Sequence, residues 1–233
     1  MDKRPPTIGK MFDRIALHYD RVNTILSLSI DRIWRKTAIR ALDIRPGNTI
    51  LDIASGTGDM ALLALQKHAC SVTGIDLSQQ MLRLAKEKAR GHGQETCFRV
   101  LQGDALAMPF SDNIFHRAMA SFGIRNVHDI DSFLREVRRV LRPGGRLAIL
   151  EFSMPGFRPF RWMYFIYLSW LLPFFGGLIS RDFASYRYLR DSIKEFPEPQ
   201  TLEAMTERQG FRIVASRPLS LGILHLYVLE KPA

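Results

Sequence analysis

The chain has 233 residues, 46% hydrophobic and 24% charged, an ordinary balance for one globular domain with a real core. Lysine and arginine number 33 against 23 acids, and the formal charge of +10 favours anionic partners: nucleic acid, an acidic ligand or an anionic membrane surface. Cys70 and Cys97 fall in no metal-type or redox-type spacing, which predicts buried thiols in a reducing compartment, and the opening residues carry neither an apolar run nor a cleavage pattern, which argues against a secretory signal.

In chain order, Phe12, Ile15, Ala16 and Tyr19 follow helical spacing, and a second helix is predicted from about Thr24 to Leu42, ahead of Arg45-Pro46-Gly47. The rhythm then changes. TILDIA (49–54) reads as a buried strand running into the turn SGTGD, and MALLALQKH reads as a helix. SVTGID (71–76), CFRVLQGD (97–104), IFHRAMAS (114–121) and RLAILEFS (146–153) are predicted strands. Between them lie predicted helices at 78–90, with Ser78 as N-cap, and at 129–141. This alternation predicts an α/β fold with parallel strands and crossover helices. From Phe157 to about Phe196 the chain is aromatic-rich and reads as a helical insertion. Its uncharged run, Trp162 to Ile179, is interrupted by Pro173, Gly176 and Gly177, which favours an apolar lid or interfacial helix over a membrane span. A helix near Pro199 to Gln209 and two strands, 211–217 and 223–230, form a predicted antiparallel pair at the sheet edge. The expected organisation is a single domain: a helical cap (1–45), a core (46–153), an apolar lid (154–197) and a C-terminal helix with its strand pair (198–233). Arg135, Arg138, Arg139, Arg142 and Arg146 are the densest basic group; a solvated helix face accounts for them as well as a binding surface does.

Gly56-Thr57-Gly58-Asp59-Met60-Ala61 fits G-x-G-x-x-A, a pattern shared by dinucleotide sites and plain strand–helix turns. The acids narrow the choice. Asp52 lies within the first strand, Asp76 ends the second and Asp104 ends the third, and the carboxyl ends of adjacent parallel strands line one crevice. Such a set suits a cationic ligand that carries a sugar and an adenine. Asp76 can accept two ribose hydroxyls, the glycines allow close backbone approach, and the acids favour ammonium and sulfonium charge. NAD would also offer a ribose, but its pyrophosphate sits poorly among extra carboxylates. S-adenosylmethionine (SAM) is therefore the expected cofactor, held by Asp52, Gly56, Thr57, Gly58, Asp76, Asp104, Ala105 and Ser121. The expected fold is a class I, Rossmann-like SAM-dependent methyltransferase with a mostly parallel seven-stranded sheet. Asp52, inside its strand, ranks lowest and has an alternative role in orienting the turn.

The chain resembles the ubiquinone/menaquinone-biosynthesis C-methyltransferases (UbiE/MenG type) over nearly its whole length. YDRVNTILSLSIDRIW (19–34) resembles the family's first signature, matching at Tyr19, Asp20, Asn23, Ser27 and Trp34, with Val22 for the usual Met and Asp31 for the usual His. RVLRPGGRLAILEFS (139–153) resembles the second, with Arg142 for Lys; SFGIRNV (121–127) and SYRYLRDSI (185–193) are also similar to the family. The resemblance implies C-methylation of a polyprenylated quinol: demethylmenaquinol in menaquinone biosynthesis, or a benzoquinol in ubiquinone biosynthesis. It also points to Arg125, Asn126 and Tyr19 as catalytic candidates. Arg125 could stabilise a quinolate or, as a plain alternative, brace its loop through an ion pair. The insertion would shelter the prenyl tail, and the positive charge would favour peripheral contact with the inner face of the cytoplasmic membrane from a cytoplasmic location. An RNA methyltransferase and a non-catalytic SAM-binding protein are the rivals. No motif for an extruded base and no nucleophilic cysteine support the first, so no nucleic-acid partner is expected.

Overall fold

A computed structural model describes residues 2–27, 29–174, 177 and 182–233. Helix α1 (Pro5–Leu26) opens on Pro5, whose fixed φ suits a first helical turn. Its face Ile15 and Ala16 is buried with Met81, and Phe12 and Tyr19 pack beside it. The second helix starts later than the apolar spacing predicts. Thr24 still belongs to α1, Ser29 takes a left-handed φ of +63°, and only then does α2 (Asp31–Ala41) begin.

All seven predicted strands form: β1 (Thr49–Ile53), β2 (Ser71–Asp76), β3 (Phe98–Gln102), β4 (Phe115–Ser121), β5 (Leu141–Phe152), β6 (Arg212–Leu219) and β7 (Leu224–Glu230). They make one sheet in the order β3-β2-β1-β4-β5-β7-β6. β1 to β5 are parallel, and β7 runs antiparallel between β5 and β6. Helices α3 (Asp59–Lys67) and α4 (Gln79–Gly91) join α2 on one face, where Ile39, Leu42, Met60 and Ala85 are buried. Helix α5 (Ile130–Val140) and α8 (Pro199–Arg208) cover the other through Phe133, Leu134, Val137 and Leu202. Ser78 caps α4 as predicted, its Oγ accepting from the Met81 N–H at 3.1 Å. The Pro143-Gly144-Gly145 stretch is absorbed into a β-bulge: Leu141 pairs with Phe115, then the register shifts so that Arg146 meets Arg117.

The insertion is helical but broken. Helix α6 (Arg158–Ile166) continues into a π turn (Tyr167–Leu171), and α7 (Phe183–Glu195) starts afresh at Asp182, which accepts from the Ser185 N–H at 3.0 Å. Gly176 and most of the run to Ile179 lie outside the described residues. Among the described residues no helix is long and apolar enough to cross a membrane. The cysteines depart from expectation. Cys97 is exposed in the turn before β3 and Cys70 only partly buried, since both sit at the margins of strands and not within them. Two members of the arginine group are held in ion pairs: Arg139 with Glu136 and Asp112, and Arg146 with Glu230.

Candidate active site

The crevice expected at the carboxyl ends of the parallel strands exists. Strand order reverses between β1 and β4, and the chain ends that diverge there leave a cleft above the carboxyl edge. Gly56, Asp76, Asp104, Ala105, Ser121 and Asn126 line it together. Asp76 is fixed by two backbone donors, the Gly56 N–H at 2.8 Å and the Ser78 N–H at 2.8 Å. Burial pushes its carboxyl above the ordinary range, and those N–H bonds oppose the shift.

Three predicted cofactor residues lie behind this cleft instead of in its wall. Asp52 is buried under the turn, where its Oδ2 accepts from Ser55 Oγ at 2.8 Å, and burial raises its carboxyl to about 7. Thr57 turns away to donate to Asp20 Oδ1 at 2.7 Å, with Lys88 Nζ donating to the same hydroxyl at 3.0 Å. Gly58 holds φ +83° at the start of α3, and a Cβ there would stand 2.9 Å from the Phe98 ring. Asp20 of the Tyr-Asp signature thus clamps α1 to the glycine turn.

The residues present fit SAM. A Cβ at Gly56 would meet nothing within 4 Å, so the turn leaves open space on its cleft side. Asn126 Oδ1, buried and lining the cleft, has no partner among the described residues. Asp76 and Asp104 present carboxylates to the same space. One wall escaped the sequence: α1 and the residues before it lay Lys3, Pro5, Ile8 and Phe12 over the cleft.

A second cavity of about 510 Å³ adjoins the first and is overwhelmingly apolar. Phe12, Tyr19 and Phe122 border both chambers. Tyr19 is hydrogen-bonded to Asn23, and burial raises its phenol pKa. Arg125 stands in the wall of the larger cavity. Its Nη1 donates to Glu151 Oε1 at 2.9 Å and to the Phe122 carbonyl, its backbone N–H reaches Glu151 Oε2 at 3.2 Å, and its guanidinium lies 5.5 Å from the Phe152 ring centre. The bracing ion pair and the cavity position therefore coexist. Glu151 was missed because it sits inside an apolar strand pattern, although a lone acid in a buried strand is itself a signal that a cation lies opposite. Asp31, the departure from the family's His, pairs with Arg35 one turn on, and both are buried in the cavity wall.

The two faces of the insertion differ in what they meet. Trp162 and Trp170 are 69% and 74% exposed, while Met163, Ile166, Tyr167 and Leu171 line the cavity. Phe165 also points outward, with Lys194 Nζ 4.3 Å from its ring centre. Met163 and Leu171 are at once cavity-lining and 55% and 45% exposed, which places an opening of the cavity among exposed apolar side chains.

Comparison with solved structures supports the fold. The crystal structure of the [4+2]-cyclase SpnF superposes with a TM-score of 0.74 at 17% identity, covering 97% of this chain and 95% of that one. Phosphoethanolamine N-methyltransferase 2 of Haemonchus contortus, in complex with S-adenosyl-L-methionine, gives a TM-score of 0.64 at 15% identity over 85% of this chain and 52% of that one. In sequence, the chain is 42% identical over 226 residues to the ubiquinone/menaquinone biosynthesis C-methyltransferase UbiE of Geotalea daltonii, spanning 96% of each. It is 41% identical over 223 residues to the demethylmenaquinone methyltransferase of Thermus thermophilus, spanning 95% of this chain and 100% of the relative. The profile of the ubiE/COQ5 methyltransferase family matches residues 1–231, and the chain belongs to that family.

Proposed function

We infer that this chain is a SAM-dependent C-methyltransferase that methylates a polyprenylated quinol in menaquinone or ubiquinone biosynthesis, with demethylmenaquinol as the leading substrate. The observation that carries the reading is the paired chambers: a carboxylate-lined cleft and a large apolar cavity share a wall at Tyr19 and Phe122, with the buried Arg125 beside that wall. Its catalytic candidates are Arg125, Asn126 and Tyr19.

When bound, SAM supplies an electrophilic methyl group to the ring carbon, its sulfur keeping the pair of the broken C–S bond. Asp76, Asp104, Ala105, Ser121 and the Gly56 backbone would hold it. The chain's own task is to make the ring carbon nucleophilic. A phenolic hydroxyl titrates near pH 10, so forming the quinolate at pH 7 costs about 4 kcal/mol. Arg125 offsets part of that cost by donating to the oxygen beside the reacting carbon. It serves as a donor and not as a proton acceptor, since a guanidinium carries no acceptor, and the Glu151 carboxylate at 2.9 Å fixes its position. The ring proton leaves to water, for which Asn126 and Tyr19 are the candidate partners.

The exposed tryptophans and the cavity opening also support peripheral attachment to an anionic membrane, from which the tail would enter between Met163 and Leu171. Arg158, Arg161, Arg187 and Lys194 are exposed on the same insertion, as such a surface requires.

The test is methyl transfer from labelled SAM to short-chain naphthoquinol and benzoquinol by the purified chain, read by mass spectrometry. Labelling of neither quinol by a folded, SAM-binding protein overturns the reading. Arg125→Gln alone leaves Glu151 buried and unpaired, so the informative variant is Arg125→Gln with Glu151→Gln. Its rate deficit should shrink as pH approaches the quinol's own pKa.

A further inference from the structure

The larger cavity is apolar except where a few side chains carry polar atoms, and three of those atoms are buried with no partner among the described residues: Arg125 Nε, Tyr164 Oη and Tyr188 Oη. Buried polar groups in native proteins are paired, so an orphan facing a cavity marks where a ligand's polar group belongs. Tyr164 comes from α6 and is 5% exposed; Tyr188 comes from α7. Both phenols feel the Arg125 charge, which lowers their pKa values, and the Glu151 charge, which raises them. They therefore lie within electrostatic reach of the ion pair while standing on the lid helices α6 and α7, and not on the turn that carries Arg125. Burial dominates the balance, raising Tyr164 strongly and Tyr188 to about 12, so both remain neutral hydroxyls.

A 1,4-quinol has two oxygens of unequal importance. A phenolate activates the carbons ortho and para to it. The reacting carbon, next to the prenyl-bearing carbon, is ortho to one oxygen and meta to the other. Only the first needs to become anionic, and only a pure donor such as Arg125 suits it. The second is electronically idle and keeps its proton, so it needs a partner that can accept as well as donate. A tyrosine hydroxyl does both.

We propose that the Tyr164 and Tyr188 hydroxyls bind the idle quinol oxygen, across the ring from the one that Arg125 stabilises, and so make the site select 1,4-dihydroxy aromatics. The proposal rests on the quinol reading above. It gives the insertion a polar duty besides sheltering the tail: the lid carries the second of two anchors and fixes the ring's rotation about the cavity. With one anchor alone, the ring could turn and carry its reacting carbon away from the methyl group.

The experiment compares the full chain with Tyr164→Phe, Tyr188→Phe and the double variant. Two substrates are used: a short-chain prenyl quinol, and the same quinol methylated on the idle oxygen, which keeps the reacting half intact but cannot donate. For the free quinol, kcat/KM should fall about three- to tenfold per hydroxyl removed, with SAM affinity by calorimetry unchanged. The wild type should already handle the ether poorly, and the tyrosine variants should lose nothing further on it. Because the readout is the quinol-to-ether ratio within each variant, a general loss of folding does not imitate it. A double variant that keeps the wild-type ratio overturns the anchor. A wild type that methylates no quinol at all overturns the quinol reading itself, which the variants are not needed to show.

Discussion

Gly56 and Gly58 stand two residues apart in one turn, yet they do different work. Both have positive φ, +54° and +83°. At Gly58 a Cβ would press on Phe98 and Ala85, so Gly58→Ala should cost folding stability beyond the roughly 1–2 kcal/mol of left-handed strain. At Gly56 the Cβ would enter open space, so Gly56→Ala should show the strain alone while losing SAM affinity. Melting curves beside calorimetry separate them; equal melting losses with equal SAM affinities would sink the distinction. Two non-glycine residues near the cleft, Ala54 (φ +52°) and Phe122 (φ +58°), also sit in the left-handed region, at the exits of β1 and β4. Strain of this kind collects where a backbone is shaped for a ligand. Asp52 gives a pH signature. Its carboxyl titrates at about 7 in the fold and near 3.9 when unfolded, so the native state keeps a proton that the unfolded chain has lost. Stability from this group is present below about pH 4 and drains away as pH rises towards 7. Asp52→Asn can still accept from Ser55 and has no proton to lose. The gap in melting temperature should therefore widen in its favour from pH 4 to 7 and then stay constant; a gap independent of pH would remove the burial argument.

At the scale of elements, the strands were legible because each is a short apolar run closed by turn residues, and the order of acids along β1, β2 and β3 announced the cleft. The insertion was legible only as apolar. Helix α6 carries large apolar side chains on its outer as well as its cavity face, so periodicity cannot say which side faces in, and Trp162 and Phe165 face away. Glu151 was hidden for a related reason: its buried ion pair joins it to Arg125 on a distant element, and neither partner's local pattern names the other. The two faces of α6 and its π turn make separate predictions. Ile166→Ser, in the cavity wall, should raise KM for long-tailed quinols about tenfold, from roughly 1.5 kcal/mol of lost apolar burial, and leave short-tailed ones nearly unaffected. Trp162→Ser and Trp170→Ser should instead weaken sedimentation with anionic vesicles and leave turnover of a soluble short-tailed quinol unchanged. Inner and outer substitutions that move the same quantity would refute the assignment of faces.

For the molecule as a whole, α1 is the piece that the other parts depend on. Asp13 accepts from Ser78 Oγ at 2.6 Å and from the Gln80 N–H at 3.0 Å, Asp20 meets Lys88 Nζ at 2.6 Å, and Gly9 lies against the Leu77 carbonyl, where a Cβ would stand 3.1 Å away. The same helix gives Phe12 and Tyr19 to both chambers. A single roof over two rooms imposes a sequence on the visitors. Lifting α1 to admit SAM would also unseat the wall that it shares with the larger cavity. SAM should therefore enter first and its demethylated product leave last. Product-inhibition patterns decide it: demethylated cofactor should compete with SAM and methylated quinol should not, whereas patterns of random addition would show that the two rooms open independently.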